Sequence, residues 1–204
     1  MAKGLVAVVQ VDRVSGADVL PWIPQLAALR IRVFAEFPYC YDGDLDYEKA
    51  YLQTYTKAKD AVLVLAREGE RVVGVSTGVA MQEAQPEVLS AIRQFGWDPQ
   101  SLFYFGESVL LPQFRGQGIG KQFMQKRVEW AQLRGIYQSV LFCAVVQPED
   151  HPDRPVDYRG LEGFWSRWGF EPVPNLVCHL AWKERRSAGE FKHALQFWKK
   201  DLIH

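Results

Sequence analysis

The sequence predicts a mixed α/β fold that forms one domain over residues 1–204. An apolar run of strand length, residues 102–111, leads into a glycine-rich turn, and an amphipathic helix follows. A second run, residues 139–146, is apolar on both faces, which is typical of a buried parallel strand. Strand, helix and strand in this order form a crossover unit, which joins parallel strands by a right-handed connection.

The first half of the chain contains strand and helix patterns in alternation. In order, the predicted elements are a strand at residues 5–11, helices at 24–37 and 47–56, a hairpin at 61–66 and 71–80, and a helix at 85–95. Pro24 suits the first turn of its helix, and that helix ends before Pro38. Asp46 is predicted to cap the second helix, since its side chain accepts from free first-turn amides.

The second half follows the central strand. Gly135 is expected to close the central helix. A short helix at residues 161–168 and a final strand or pair at 173–182 follow. Ser187 and Glu190 have the spacing of a capping box, which predicts a C-terminal helix that continues to Lys200.

Composition narrows the class of protein. The chain has 24 Lys and Arg residues against 24 Asp and Glu residues, so its net charge gives no reason to expect nucleic acid as a partner. No apolar run reaches the roughly 18 residues of a membrane span, and no signal peptide is evident, so we expect a cytoplasmic protein without a membrane partner. Three cysteines without C-x-x-C spacing indicate neither a disulfide framework nor a zinc site. Oligomeric state is not fixed, and a homodimer is compatible with the sequence.

The turn between the central strand and helix is the best candidate for a binding site. Residues 115–120 read Arg-Gly-Gln-Gly-Ile-Gly, and glycines allow backbone amides to approach a ligand closely. These amides begin a helix, where free N–H groups and the helix dipole both favour an anion. Two common phosphate motifs do not fit, because Gln122 replaces the hydroxyl of a nucleotide-hydrolase loop and Lys121 replaces the third glycine of a dinucleotide fingerprint.

The pattern that does fit is R-x-x-G-x-G, supplied by Arg115, Gly118 and Gly120 after V-L-L-P at residues 109–112. In these residues the chain resembles the GNAT superfamily of N-acetyltransferases. The resemblance implies a central twisted mixed sheet flanked by helices, with the C-terminal helix as an addition. It also implies acetyl-CoA as the cofactor and direct acetyl transfer to a primary amine of a small molecule or peptide in a ternary complex. The implied cofactor-binding residues are Val109, Leu110, Leu111, Arg115, Gly116, Gln117, Gly118, Ile119 and Gly120.

Glu107 is the candidate general base. It interrupts an apolar strand five residues before Pro112, where similar enzymes often carry a glutamate. A protonated amine is not a nucleophile, so the site needs a base or a water chain to remove its proton. Partial burial would strengthen a carboxylate as a base unless a cation pairs with it. The alternative is a structural carboxylate held by a neighbouring Arg or by amides at the strand end.

The position of the general acid departs from the family pattern. An aromatic helix followed by Gly169-Phe170 matches the second family motif, but Trp165 stands where many members carry a tyrosine that protonates the departing thiolate. An indole N–H does not act as an acid at neutral pH, so this role is unassigned. Tyr158, nearby in the sequence, is a weak substitute. A module that binds or senses acyl-CoA without turnover is therefore the second functional hypothesis.

The acceptor amine is expected to bind beside the loop after the first helix. Phe37, Tyr39, Tyr41 and Asp42 would offer aromatic rings and a carboxylate to an ammonium group, although tyrosines folded onto the core are an equal alternative. Residues 148–157 could form the opposite wall. His151 and Asp153 have a metal-like spacing there, but the sequence places no third ligand, so no metal is predicted.

Overall fold

The computed structural model describes residues 8–203 and contains an eight-stranded mixed sheet with helices on both faces. The strands are β1 (Gln10–Val14), β2 (Val62–Glu68), β3 (Arg71–Ala80), β4 (Leu102–Tyr104), β5 (Ser108–Leu110), β6 (Ser139–Val145), β7 (Glu171–Lys183) and β8 (Glu190–Asp201). The helices are α1 (Ile23–Phe34), α2 (Leu45–Thr54), α3 (Pro86–Gln94), α4 (Ile119–Arg134) and α5 (Glu162–Arg167). No helix in this part of the chain is long and apolar enough to cross a membrane.

The sheet order is β1-β2-β3-β4-β6-β8-β7, and β5 pairs with β3. All pairings are antiparallel except that of β4 with β6, which is parallel. The crossover through α4 therefore has the parallel strands that the sequence predicts. The hairpin of β2 and β3 is also confirmed. Part of the predicted first strand, residues 5–7, lies outside the described residues.

Two apolar clusters hold the layers together. On one face, Leu26 of α1, Leu52 of α2 and Ile92 of α3 pack on the sheet and are fully buried. On the other face, α4 contributes Met124 and Val128 to a second cluster. Burial of such side chains contributes roughly 1.5–3 kcal/mol each to the free energy of unfolding.

The predicted C-terminal helix is wrong, because residues 190–201 form strand β8. This strand lies between β6 and β7 and pairs antiparallel with both. Its backbone groups are thus satisfied by two neighbouring strands. The hydroxyl of Ser187 donates to the carbonyl oxygens of Glu184 and Gly189, so it stabilises the turn before the strand and caps no helix.

The cap of α2 also differs from the prediction. Asp44, not Asp46, precedes the helix, and its Oδ1 accepts the amide hydrogen of Tyr47 at 2.8 Å. The predicted central strand is likewise not continuous. It consists of β4 and β5, which are separated by Phe105, Gly106 and Glu107.

Candidate active site

The break in the central strand opens the sheet. Strands β4 and β6 join the two halves of the sheet, β1-β2-β3 and β8-β7. At the end of their pairing, the amide of Phe105 donates a hydrogen bond to the carbonyl of Leu141 at 2.7 Å. Beyond that point β5 pairs only with β3 among the described strands, while the rest of β6 pairs with β8. An opening therefore separates β5 from the second half of β6, and β5 presents a backbone edge to it.

The register of β5 decides which of its groups face this opening. The amide of Leu111 donates to Val73 at 3.0 Å, and the amide of Thr77 donates to the carbonyl of Glu107 at 2.9 Å. Because an antiparallel strand alternates its bonding direction, Val109 also faces β3, and Ser108 and Leu110 face the opening. Of the three amides that the sequence predicts for cofactor binding, only that of Leu110 is directed toward the opening.

The glycine turn lies at the end of β5 and begins α4. Gly116 and Gly118 have φ angles of +77° and +81°, which side-chain-bearing residues rarely adopt. A Cβ atom added at Gly116, Gly118 or Gly120 would meet no atom within 4 Å. No side chain caps the N-terminus of α4, and its first turn contains no acidic residue. The turn thus borders open space, and the N-terminus of α4, the positive end of its helix dipole, lies beside it.

Gly120 is informative because its conformation does not require glycine. It lies in the first turn of α4 with no positive φ, and its surroundings would accommodate a side chain. Intramolecular packing therefore gives no reason for glycine at this position. Close approach of a ligand to the backbone would give one.

The side chains of the turn are engaged within the protein. Arg115 donates from Nε to the carbonyl of Leu110 at 3.0 Å and from Nη2 to Glu36 at 2.9 Å. Gln117 donates to the carbonyl of Gln113 at 2.8 Å. These contacts fix the turn to β5 and to the segment just after α1. The amides of Ile119 and Gly120, in the first turn of α4, have no acceptor within the helix.

Glu107 lies in the strand break, with a side chain that is 6% exposed. Its Oε1 is 2.5 Å from Nη1 of Arg30, and its Oε2 accepts from the hydroxyl of Tyr51 at 3.0 Å. Arg30 also pairs with Glu48 and contacts the ring of Tyr51 at 4.4 Å. An arginine therefore pairs with this carboxylate, which is the contact expected of a structural carboxylate held by a neighbouring Arg.

A hydrogen-bonded chain continues from Glu107 into the protein. The hydroxyl of Tyr51 is 2.8 Å from that of Tyr55, which is 3.1 Å from Oγ1 of Thr77. Burial, followed by the charge of Glu107, raises the pKa of both tyrosines. Below the carboxylate, Nη1 of Arg127 donates to the carbonyls of Thr77 and Glu107 at 3.2 and 3.3 Å. Burial lowers the pKa of Arg127 to about 9, although the charge of Glu107 opposes this.

Sequence reasoning did not identify Arg30, Tyr51 or Arg127. Arg30 and Arg127 stand on helices among apolar neighbours, and Tyr51 is followed four residues later by Tyr55, which places both on one helix face. Charged residues on the buried face of a helix were the available signal. Their common partner, Glu107, is distant in the sequence, so no local pattern links them.

The predicted acceptor loop is attached to both sides of the opening. Glu36 pairs with Arg115 beside β5, and the carbonyl of Pro38 accepts from Nε2 of Gln147, just after β6. Phe37 and Tyr39 therefore belong to a segment that bridges the two sides. Tyr39 packs on the ring of Phe34, with 4.7 Å between ring centroids.

The remaining loop residues face the β7–β8 hairpin. Asp42 forms an ion pair with Lys183 at 2.6 Å, and Tyr41 forms an isolated β-bridge with Glu184. The carboxylate of Asp42 thus already has a cation. Tyr41 and Asp42 attach the loop to the hairpin. Tyr39 does so as well, because its carbonyl accepts from Nε1 of Trp182 in β7 at 2.9 Å.

Phe37 joins the two predicted acceptor walls. Its ring lies 4.7 Å from that of Tyr158 and 5.3 Å from that of His151, and the guanidinium of Arg154 is 6.0 Å from its centroid. The segment at residues 148–157 therefore lies against the loop after α1. That the two form walls of an acceptor pocket stays a prediction. Tyr158 contacts this aromatic group, and burial raises its pKa.

Trp165 is a packing residue. Its ring lies 5.0 Å from that of Phe142 and 5.1 Å from that of Trp198. Both partners belong to strands of the sheet, β6 and β8. Trp165, at the position where a tyrosine acid was expected, is therefore part of an aromatic cluster.

Comparison with known proteins identifies the family and supports the fold. The family model described as "Acetyltransferase (GNAT) family" matches residues 28–156. No curated protein sequence matches the chain. Among solved structures, a ribosomal-protein-alanine N-acetyltransferase from Brucella melitensis has a TM-score of 0.61 at 14% identity, covering 95% of this chain and 99% of that one. NAA60 from Arabidopsis thaliana, solved with acetyl-CoA, has a TM-score of 0.61 at 13% identity, covering 96% and 99%. A putative acetyltransferase from Salmonella typhimurium, yncA, solved with acetyl-CoA, has a TM-score of 0.56 at 12% identity, covering 96% and 95%.

Proposed function

The chain belongs to the acetyltransferase (GNAT) family, and from this premise we propose that it transfers an acetyl group from acetyl-CoA to a primary amine of a small molecule or peptide. The observation that carries the proposal is the glycine turn at the N-terminus of α4, open to its surroundings and adjacent to the free edge of β5. Relatives of the same fold have been solved with acetyl-CoA, which supports the same cofactor here.

In this proposal the cofactor binds through backbone groups. The turn amides at residues 116–120 bind the pyrophosphate, since they combine free N–H groups with the helix dipole. The backbone edge of β5 would hold the pantetheine arm in the opening between β5 and β6. The amide of Leu110 then lies on the side where a thioester carbonyl would need a donor.

The acceptor approaches from the side of Phe37 and Tyr39. Bound acetyl-CoA would supply a thioester carbon to the neutral nitrogen of the acceptor, and the proton that this nitrogen loses on becoming an amide would go to the thiolate released when the C–S bond breaks. An amine with a pKa near about 10 must first lose a proton, and we assign that proton to Glu107, reached through one water. Arg30 and Tyr51 orient the carboxylate for this role.

The thiolate needs no strong acid in order to leave, because a thiol has a pKa of about 8.5. The reaction can therefore proceed with Trp165 in the position of the family tyrosine. A non-catalytic acyl-CoA-binding or sensing module is the second candidate, and the packing of Trp165 in the aromatic cluster is the observation that favours it.

One experiment separates these functions. Release of the CoA thiol from acetyl-CoA is followed against pools of amino acids, aminoglycosides, polyamines and short peptides, and the melting temperature is measured with acetyl-CoA alone. Thiol release with one pool supports the enzyme. Thermal stabilisation without release from any pool favours the sensing module. Absence of both would overturn the assignment of the cofactor.

A further inference from the structure

We propose that Cys40, His151 and Asp153 form a zinc-binding site at the acceptor end of the molecule. One ligand atom from each of the three lies within 4.8 Å of the other two. Cys40 is on the loop after α1, whereas His151 and Asp153 come from the segment after β6. The sequence supplied only the last two, and the fold brings the third beside them.

The chemical types of the three ligands suit Zn²⁺. Thiolate, imidazole and carboxylate are its usual protein ligands, and three of them leave a fourth position for water or a substrate group. The Cys40 side chain is buried, and both other residues are partly buried. A cavity of about 290 Å³ is lined by Cys40, Asp153 and Phe37, together with Ala35, Arg185 and Arg186. This cavity provides the space for a fourth ligand.

One hydrogen bond indicates the tautomer of His151. Nδ1 accepts the amide hydrogen of Asp153 at 3.2 Å, so the ring proton is on Nε2, and a metal ion could use the lone pair of Nδ1 only by displacing this hydrogen bond. Nε2 lies 3.8 Å from a carboxylate oxygen of Glu184. At this distance the two groups face each other without a hydrogen bond, and a small shift of the ring would let Nε2 donate to the carboxylate, as metal-binding histidines do. Zinc would replace the amide as the partner of Nδ1.

Two ligands of the cluster supply negative charge for a divalent cation, whereas Arg185 and Arg186, which line the same cavity, oppose it. When zinc binds, the thiol of Cys40 releases its proton to solvent, and the resulting thiolate and the Asp153 carboxylate balance the two positive charges. Without a metal, burial and the nearby carboxylates raise the pKa of Cys40 to about 11, so binding must displace this proton. Arg186 pairs with Oδ1 of Asp153 at 3.0 Å, but its side chain is 74% exposed, so this contact competes weakly.

The test uses cobalt as a spectroscopic substitute for zinc. Untagged protein is treated with a chelator, dialysed, and titrated anaerobically with Co²⁺ while absorbance is recorded. We expect about one equivalent to bind with a thiolate-to-cobalt charge-transfer band and tetrahedral d–d bands, and Zn²⁺ to abolish both. Since the readout is spectroscopic, failure of the acetyltransferase assignment would not affect it.

Matched variants identify the ligands. Cys40→Ser should remove the charge-transfer band, whereas Cys178→Ser, at a buried cysteine of β7, should retain it. Asp153→Asn should weaken cobalt binding at least about tenfold, and it decides the question if Cys40→Ser does not fold. Absence of cobalt bands in the native chain, or bands that neither Cys40→Ser nor Asp153→Asn changes, would overturn the site.

Discussion

Arg30 on α1 and Glu107 in the break between β4 and β5 form a buried ion pair, with 2.5 Å between Nη1 and Oε1. The same guanidinium pairs with Glu48 on α2. One cation therefore connects two helices to the part of the sheet where the strand is interrupted. This pair joins the stability of the fold to the orientation of the candidate base.

Glu107→Gln tests the catalytic assignment. The amide preserves the shape of the side chain but cannot accept a proton at neutral pH, so kcat should fall by about 10²–10⁴-fold. Stabilisation by acetyl-CoA should persist, because the turn is unchanged. Rates and melting temperatures are measured on the same preparation. An unchanged kcat would remove Glu107 from the mechanism and leave it as a structural carboxylate.

Arg30→Met tests the stabilising role of the ion pair. Removal of the cation leaves two buried carboxylates, Glu48 and Glu107, without their partner, and we expect a loss of about 3–5 kcal/mol in the free energy of unfolding. Lys49→Met is the control, because its pair with Asp46 is exposed and should change stability by less than about 1 kcal/mol. Chemical denaturation measures both. Equal effects of the two substitutions would contradict a special role for Arg30.

Gly120→Ala separates stability from cofactor binding. Alanine has no clash there and is the better helix former, so the free energy of unfolding should rise by up to about 1 kcal/mol. The added methyl group occupies the space assigned to the pyrophosphate, so the Kd for acetyl-CoA should rise at least about tenfold.

Calorimetry measures the Kd, and denaturant unfolding measures the stability. Gly96→Ala is a control for an open glycine outside the site, although its φ of +86° makes that substitution destabilising. A Gly120→Ala protein that binds acetyl-CoA normally would refute the assignment of the glycine turn as the pyrophosphate site.

His193 should make stability depend on pH. Burial lowers the pKa of this histidine below 6.5 in the folded state, although Glu184 opposes the shift. The unfolded chain then binds more protons than the folded chain in the window from the folded pKa up to about 6.5, so stability rises with pH across it. Acidification from pH 7 toward pH 5 should lower the melting temperature.

His193→Gln should reduce this dependence, whereas His179→Gln, at an exposed position, should not. The melting temperatures are recorded in chelator-containing buffer, so that bound metal does not contribute. Identical pH profiles for the native chain and His193→Gln would show that the charge of His193 is not involved.

Local signals predicted the part of the fold that depends on neighbouring residues. The glycine turn and helix α4, which ends before Gly135, were predicted from hydrophobic periodicity and from the backbone freedom of glycine. Both signals are properties of short segments. The hairpin of β2 and β3 has the same origin. The helix predicted at the C-terminus was wrong because Phe191, Leu195 and Trp198 have helical spacing, whereas pairing with β6 and β7 makes residues 190–201 a strand.

The candidate site likewise has a part that local sequence predicts and a part that it does not. The glycine turn is a contiguous motif, so the sequence alone predicts it. The partners of Glu107 come from α1 and α2, and Cys40 reaches His151 only after the sheet has formed. Contacts between residues that are far apart in the chain depend on tertiary packing, which no single window of sequence contains.

The position of β8 between β6 and β7 determines the order in which these strands can join the sheet during synthesis. A nascent chain that has emerged only as far as β7 cannot join this strand to the sheet, because the strand that lies between them has not yet been made. Until residues 190–201 leave the ribosome, β6 keeps an unpaired edge that can bind other extended chains. Once residues 190–201 have been made, β8 thus protects this edge of β6 from aggregation.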